Sequence, residues 1–252
     1  MDEEPAPSGS FFGRRKGKPL RPGHDRLLRE VLPRLRIAIP QPEWTGRSET
    51  SSYGHLSVRS GWTRRPLDPA TLFPCPVRAL RLEIGFGGGE HLGATARAEP
   101  DVGFIGVEPF VNGMAKLLAV VESEELANVR VWDDDATALL PALPVASLDR
   151  VSLLFPDPWP KRRQRKRRFV SDGSLAEIAR VLRPGGELRF ATDIDDYAGW
   201  TLARVLRSPD FAWRARAAAD WRDPWEGWPG TRYEAKARAA GRSAAYLTFT
   251  RL

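Results

Sequence analysis

From residue 77 onward the chain alternates two textures. Short apolar runs at 79–84, 103–107, 129–132, 151–155 and 188–191 are each long enough for one buried strand. Between most of them lie stretches with helical texture, at 90–98, 112–123, 171–182 and 195–206. A further apolar run at 244–250 adds one more strand at the end. Strands alternating with helices predict βαβ units and a parallel sheet. The expected fold is therefore α/β, a doubly wound, mostly parallel sheet.

Upstream the pattern is different. Leu27, Leu28, Val31, Leu32 and Leu35 fall on one face of a short amphipathic helix over about 25–35. Residues 40–76 are dense in Pro, Ser, Gly and Thr with little periodicity, which predicts a long loop or linker. Residues 1–10 are polar and are expected to be loose. The organisation predicted is a basic N-terminal segment with a short helix and linker over 1–76, followed by one α/β domain over 77–252.

Charge changes the picture because of where it lies. Lys and Arg number 39 against 32 Asp and Glu, a formal +7. The run from Lys161 to Arg168 alone holds seven basic residues and no acid, so the remainder of the chain is neutral. A local positive excess points to a polyanionic partner. A second, smaller group, Arg14, Arg15, Lys16 and Lys18, sits among glycines near the start. The single cysteine, Cys75, has no partner for an internal disulfide and fits a reducing compartment. No apolar run approaches membrane-span length and the first residues carry no apolar leader, so a cytoplasmic protein with no membrane partner is expected. His24, His55 and His91 show no metal-ligand spacing with one another or with Cys75, and no metal is expected. Trp213, Trp221, Trp225 and Trp228 cluster late in the chain and are read as packing for an irregular C-terminal segment.

The first strand of the domain runs into Glu83-Ile84-Gly85-Phe86-Gly87-Gly88-Gly89-Glu90, and a helix follows. Glycines after a first strand let the chain turn sharply and bring a helix N-terminus close to a ligand. A dinucleotide fingerprint would need glycine at position 90, where Glu90 stands. The spacing Glu-x-Gly-x-Gly-x-Gly resembles the first motif of class I methyltransferases that use S-adenosylmethionine. Acids recur at Glu83, Glu108, Asp135 and Asp157, separated by 25, 27 and 22 residues. Each falls at or just beyond the carboxyl end of an expected strand, so a parallel sheet gathers all four on one edge, where such folds bind ligands. S-adenosylmethionine presents matching donors. Glu108 is placed for the ribose hydroxyls and Asp135 for the adenine amine, with Glu83 and Asp157 about the methionine end. Gly85 and Gly87 complete the cofactor-binding set.

The fourth strand runs into Phe155-Pro156-Asp157-Pro158-Trp159-Pro160-Lys161 and then the basic run. This segment resembles the bacterial tRNA (guanine-N7-)-methyltransferases. So do Phe12-Gly13-Arg14-Arg15-Lys16-Gly17, the Glu83 turn, Ala191-Thr192-Asp193 and Thr231-Arg232-Tyr233-Glu234. The similarity covers about 11–35 and then 77 to the end; 40–63 looks like an insertion. The resemblance implies a class I, Rossmann-like seven-stranded fold with S-adenosylmethionine as cofactor and tRNA as partner. No obligatory protein partner is implied, and monomer or homodimer stays open. It also implies Asp157 as the active-site aspartate, and substrate contacts at Lys161, Asp193, Thr231, Arg232, Tyr233 and Glu234. RNA contacts are implied at Arg163, Gln164, Arg165, Lys166, Arg167 and Arg168. The implied reaction is methyl transfer to guanine N7 in the tRNA variable loop.

That chemistry suits the residues. Guanine N7 has a free lone pair and no proton, so no general base is required; the demands are in-line positioning and stabilisation of developing charge. Two alternatives stand beside this reading. One is a methyltransferase for another nucleobase nitrogen, although exocyclic-amine enzymes often carry Asp/Asn-Pro-Pro-aromatic and Trp159 replaces the second proline here. The other is a non-catalytic RNA-binding protein on the same fold.

Overall fold

The computed structural model describes residues 12–39, 43–44, 62–63 and 67–252. Its centre is a seven-stranded sheet. Five strands and their helices alternate along the chain: β3 (Ala79–Ile84), α3 (Glu90–Ala98), β4 (Val102–Val107), α4 (Val111–Ser123), β5 (Val129–Trp132), α5 (Ala136–Leu139), β6 (Leu148–Leu154), α6 (Asp172–Val181) and β7 (Leu182–Thr192). After α7 (Asp195–Val205) come β8 (Phe211–Trp213), the short α8 (Ala219–Arg222), α9 (Arg232–Ala239) and β9 (Ala245–Arg251). The spatial order is β5-β4-β3-β6-β7-β9-β8. Contacts from β5 across to β7 are parallel, and β9 runs antiparallel to both β7 and β8.

The strands expected at 79–84 and 129–132 stand at those positions, and the others begin or end within a few residues of expectation, save β7, which extends back to Leu182. All six residues of β4 are buried, as a strand covered on both faces requires. The chain winds outward from β3 through β4 to β5 and then returns to β6. The order therefore reverses between β3 and β6, the switch point at which open α/β sheets form a crevice outside their carboxyl ends.

Two apolar layers clothe the sheet. One holds Leu82, Ile105, Val151, Ile178 and Phe190 and meets α6 and α7. The other holds Leu92, Phe104, Met114, Leu117 and Leu118 with α1 (Pro22–Glu30) and α2 (Leu32–Leu35). The single helix expected over 25–35 is thus two. Pro33 has no N–H to donate and fits only the first turn of a helix, so the chain breaks at Val31 and restarts. Ile37 N–H then bonds the Val131 carbonyl (2.9 Å) and Arg36 bridges Val131 in parallel, covering the free edge at β5.

Part of the expected linker packs into the domain. Leu67 and Phe73 are buried in the first layer, and Leu67 N–H bonds the Ala142 carbonyl at 2.8 Å. The 40–63 stretch lies outside the described residues except for the antiparallel pair β1 (Glu43–Trp44) and β2 (Trp62–Thr63). Among the described residues no helix is long and apolar enough to cross a membrane.

Leu27 projects from α1 into this second layer and is 4% exposed. Leu27→Ala is expected to lower unfolding free energy by about 2–4 kcal/mol in urea titration. A change under about 0.5 kcal/mol would show that α1 stands apart from the domain core.

Candidate active site

The carboxyl edge of the sheet carries the four acids. Glu83 is one residue before the end of β3, Glu108 one past β4, and Asp135 and Asp157 three past β5 and β6. Between β3 and α3 the turn places Gly85 and Gly87 at φ +73° and +61°, in the left-handed region. The first turn of α4 presses against it. A Cβ at Gly113 would lie 2.1 Å from the Gly87 carbonyl, so only glycine permits this approach.

Glu108 ties the two loops together. The residue is 8% exposed, and its carboxylate accepts the Gly87 N–H (2.7 Å) on one oxygen and the Phe110 N–H (2.9 Å) on the other. Burial pushes its pKa above the usual glutamate value; the two backbone donors oppose that rise and the nearby Asp157 charge adds to it. Asp135 is the N-cap of α5, accepting the Thr137 N–H at 2.9 Å on one oxygen. Glu83 is buried, and its Oε2 lies 2.6 Å from Nδ1 of His91, eight residues on.

Asp157 is held differently. Among the described residues no hydrogen bond fixes its carboxylate, which is exposed. The backbone does the holding. Pro156 and Pro158 flank it, and beyond them Phe155 (φ +49°) and Trp159 (φ +42°) adopt left-handed conformations that L-residues rarely take. Such conformations cost of order 1–3 kcal/mol each and persist where packing over-determines them. Here Phe155 N–H bonds the Ala191 carbonyl (2.8 Å) and its ring joins Leu154, Ala191 and Tyr246. Asp157 therefore keeps free acceptors on a fixed backbone.

The segment from Thr231 to Glu234 opens a helix. Thr231 is the N-cap of α9, its hydroxyl accepting the Glu234 N–H at 3.1 Å. Glu234 is buried with both oxygens engaged, by Trp228 Nε1 (2.6 Å) on one and by Tyr246 OH (2.8 Å) and Arg238 (2.6 Å) on the other. Arg232 and Tyr233 instead lie over the glycine turn. Arg232 Nε is 2.8 Å from Glu90, and a Cβ at Gly88 would sit 1.3 Å from its Nη2. The Tyr233 ring rests on Gly87. The structure thus separates the expected substrate contacts: Arg232 and Tyr233 lie over the glycine turn, whereas the Thr231 hydroxyl and the Glu234 carboxylate are engaged within the protein. Asp193 accepts from Arg242 Nε at 2.7 Å, and Lys161 is exposed.

The basic run forms a 3-10 helix, Arg162–Arg167, directly after the Asp157 turn. Arg163 and Lys166 are exposed and Gln164 is half-buried. Arg165 pairs with Asp196 at 2.7 Å. The Arg167 guanidinium lies over the Phe12 ring (5.1 Å) and over the Trp159 ring (5.0 Å), joining the N-terminal segment to the run. Arg168, expected as an RNA contact, is buried. It is 3% exposed, donates to the Pro158 carbonyl (2.7 Å) and to Asp196, and lies against the rings of Tyr197 (4.7 Å) and Trp200 (5.0 Å). Its role in this fold is to anchor the Asp157 turn to α7.

His91 carries no signal of a site role in the sequence. It has no metal-ligand spacing, and a contact between a strand residue and the next helix leaves no spacing signature.

Residues 78–247 match the family model described as "Putative methyltransferase". The tRNA (guanine-N(7)-)-methyltransferase of Nitrobacter winogradskyi is 54% identical over 97% of this chain and 87% of its own length. Those of Brucella anthropi and Agrobacterium fabrum are 51% and 52% identical, covering 100% and 96% of this chain and 100% and 95% of their own. Among solved structures, the 16S rRNA methyltransferase KamB is similar in fold, with TM-score 0.50 and 17% identity over 69% of this chain and 88% of its own.

Arg168→Ala would leave the Pro158 carbonyl without its donor and a void between two rings. It is expected to cost about 1–3 kcal/mol of stability in denaturant titration while leaving the salt dependence of RNA binding unchanged. A flatter salt dependence at unchanged stability would return Arg168 to the RNA-contacting set.

Proposed function

The chain belongs to the tRNA (guanine-N(7)-)-methyltransferase family, and from that premise we propose how its sheet edge transfers a methyl group from S-adenosylmethionine to guanine N7 of tRNA. The observation that supports the site assignment is the row of four carboxylates at the carboxyl ends of four adjacent parallel strands, astride the switch point.

The residues present fit the cofactor. Its ribose hydroxyls, adenine amine and α-ammonium are all donors, and the edge offers acceptors. Glu108, fixed by two backbone N–H groups, takes the ribose. Asp135, with one oxygen committed to its helix cap, takes the adenine amine on the other. Glu83 takes the α-ammonium. Gly85 and Gly87 leave room for close approach of the backbone. When bound, the cofactor supplies a methyl group on a positively charged sulfur that leaves as a neutral thioether.

The protein's work is then placement. The N7 lone pair forms the new bond and no proton is lost from N7, so Asp157 need not act as a base. Its fixed carboxylate accepts from the N–H donors of the guanine edge and stabilises the positive charge the ring acquires. Tyr233 and Arg232, presented by α9 over the glycine turn, wall the same space. Lys161, Arg163 and Lys166, exposed beside the Asp157 turn, grip backbone phosphates as the base enters. The target position, a guanine of the variable loop, follows from the family resemblance.

Incubation with methyl-labelled S-adenosylmethionine and unmodified tRNA, followed by nucleoside analysis, is expected to place the label in 7-methylguanosine. Asp157→Ala should lose at least about a hundredfold in rate with tRNA affinity unchanged. Label in another nucleoside would overturn the substrate assignment, and near-normal turnover by the variant would remove Asp157 from the mechanism. Replacing Lys161, Arg163 and Lys166 together by Ala should weaken tRNA binding and lower the slope of log affinity against log salt by about 2–3. An unchanged slope would show that the phosphates are gripped elsewhere.

A further inference from the structure

We propose that His91 is a positioning residue for the cofactor site, holding the Glu83 carboxylate toward the α-ammonium of S-adenosylmethionine; this rests on the assignment of Glu83 to that group. His91 Nδ1 and Glu83 Oε2 are 2.6 Å apart, and the two side chains are only 15% and 6% exposed. An ionised carboxylate has no proton to give, so Nδ1 carries the hydrogen and donates. Among the described residues His91 is the one side chain that hydrogen-bonds Glu83.

The ring is itself held. It packs against Trp228 with centroids 4.9 Å apart. Trp228 donates from Nε1 to the buried Glu234, which Tyr246 OH also bonds. The imidazole is thus set from the α9 end of the site, through the same buried carboxylate that ties α9 to Tyr246. Glu83 needs this restraint because of what lies beside it. It shares a cavity of about 240 Å³ with Arg81, Arg150 and Arg189, three guanidiniums on adjacent strands of one sheet face. Those three share two carboxylates, Glu99 for Arg81 and Glu187 for Arg150 and Arg189. A Glu83 side chain released by His91 has positive charge within the cavity to turn toward, and away from the cofactor. Charge-assisted hydrogen bonds of this kind are stronger than neutral ones and set direction as well as energy.

Two substitutions separate the donor from the ring. His91→Phe keeps the stack on Trp228 and removes the N–H. His91→Asn keeps a donor near the Nδ1 position and gives up the ring. Calorimetric titration with S-adenosylhomocysteine, which retains the α-ammonium, is expected to show affinity reduced about tenfold in His91→Phe and within about threefold of wild type in His91→Asn. Nitrogen-15 NMR of the wild-type imidazole should show the Nδ1-protonated tautomer. Wild-type affinity in His91→Phe, or equal loss in both variants, would reduce His91 to packing; so would an Nε2-protonated wild-type ring, whether or not the variants fold. Glu83→Gln, titrated in parallel, distinguishes the two levels. Undiminished affinity there would sink the assignment of Glu83 to the cofactor, whereas loss there with none in His91→Phe would sink the inference about His91 alone.

Discussion

The hydrogen bond from Gly87 N–H to the buried Glu108 carboxylate, at 2.7 Å, is the contact on which the site is built. It draws the β3–α3 turn onto the start of α4, and the approach is so close that Gly113 can carry no side chain. A buried carboxylate is costly unless its oxygens are satisfied, and the second donor, Phe110 N–H, completes the pair. With the turn fixed there, Gly87 and Gly88 become a floor on which Tyr233 and Arg232 lie. The carboxyl edge of the parallel sheet is thereby covered by residues from both ends of the domain.

The two acids expected to matter most are controlled in opposite ways. Glu108 is fixed by hydrogen bonds to its side chain and pays for burial with a raised pKa. Asp157 is fixed by its backbone, between two prolines and two left-handed residues, and keeps its acceptors free. Methyl transfer to a bare lone pair asks for placement and electrostatics, and in the proposed mechanism a rigid but unsatisfied carboxylate supplies both. The basic run shows a similar division. Arg168 is turned inward to Asp196, Arg165 pairs with the same carboxylate at the surface, Arg167 lies over Phe12 and Trp159, and Arg163 and Lys166 remain outward. Some charges build the platform and others are left to bind.

The strands of the parallel sheet were legible because strands buried on both faces read as uninterrupted apolar runs, and Val102–Val107 is the plainest case. The positions of the four acids followed directly from those strand ends. Helix α9 was not legible, since its only buried residues are Ala237 and the charged Glu234, and no apolar stripe marks it. The break at Val31 hinged on one proline within an otherwise continuous face. Leu67 and Phe73 were lost among turn residues although both reach the core. Within a run of seven like charges nothing in the sequence distinguishes Arg168, which is buried, from Arg163, which is exposed; rings supplied by α7, thirty residues downstream, decide it. His91 escaped for the same reason, its partners Glu83 and Trp228 being brought together only by the fold.

A crystal structure of the protein with S-adenosylhomocysteine bound tests the central claim most directly, that the strand-end carboxylates form the cofactor site. The account predicts the ribose hydroxyls on Glu108, the adenine amine at Asp135 and the α-ammonium at Glu83, with Gly85 and Gly87 beneath. A ligand seated away from this edge, or one whose ribose leaves Glu108 untouched, would contradict it.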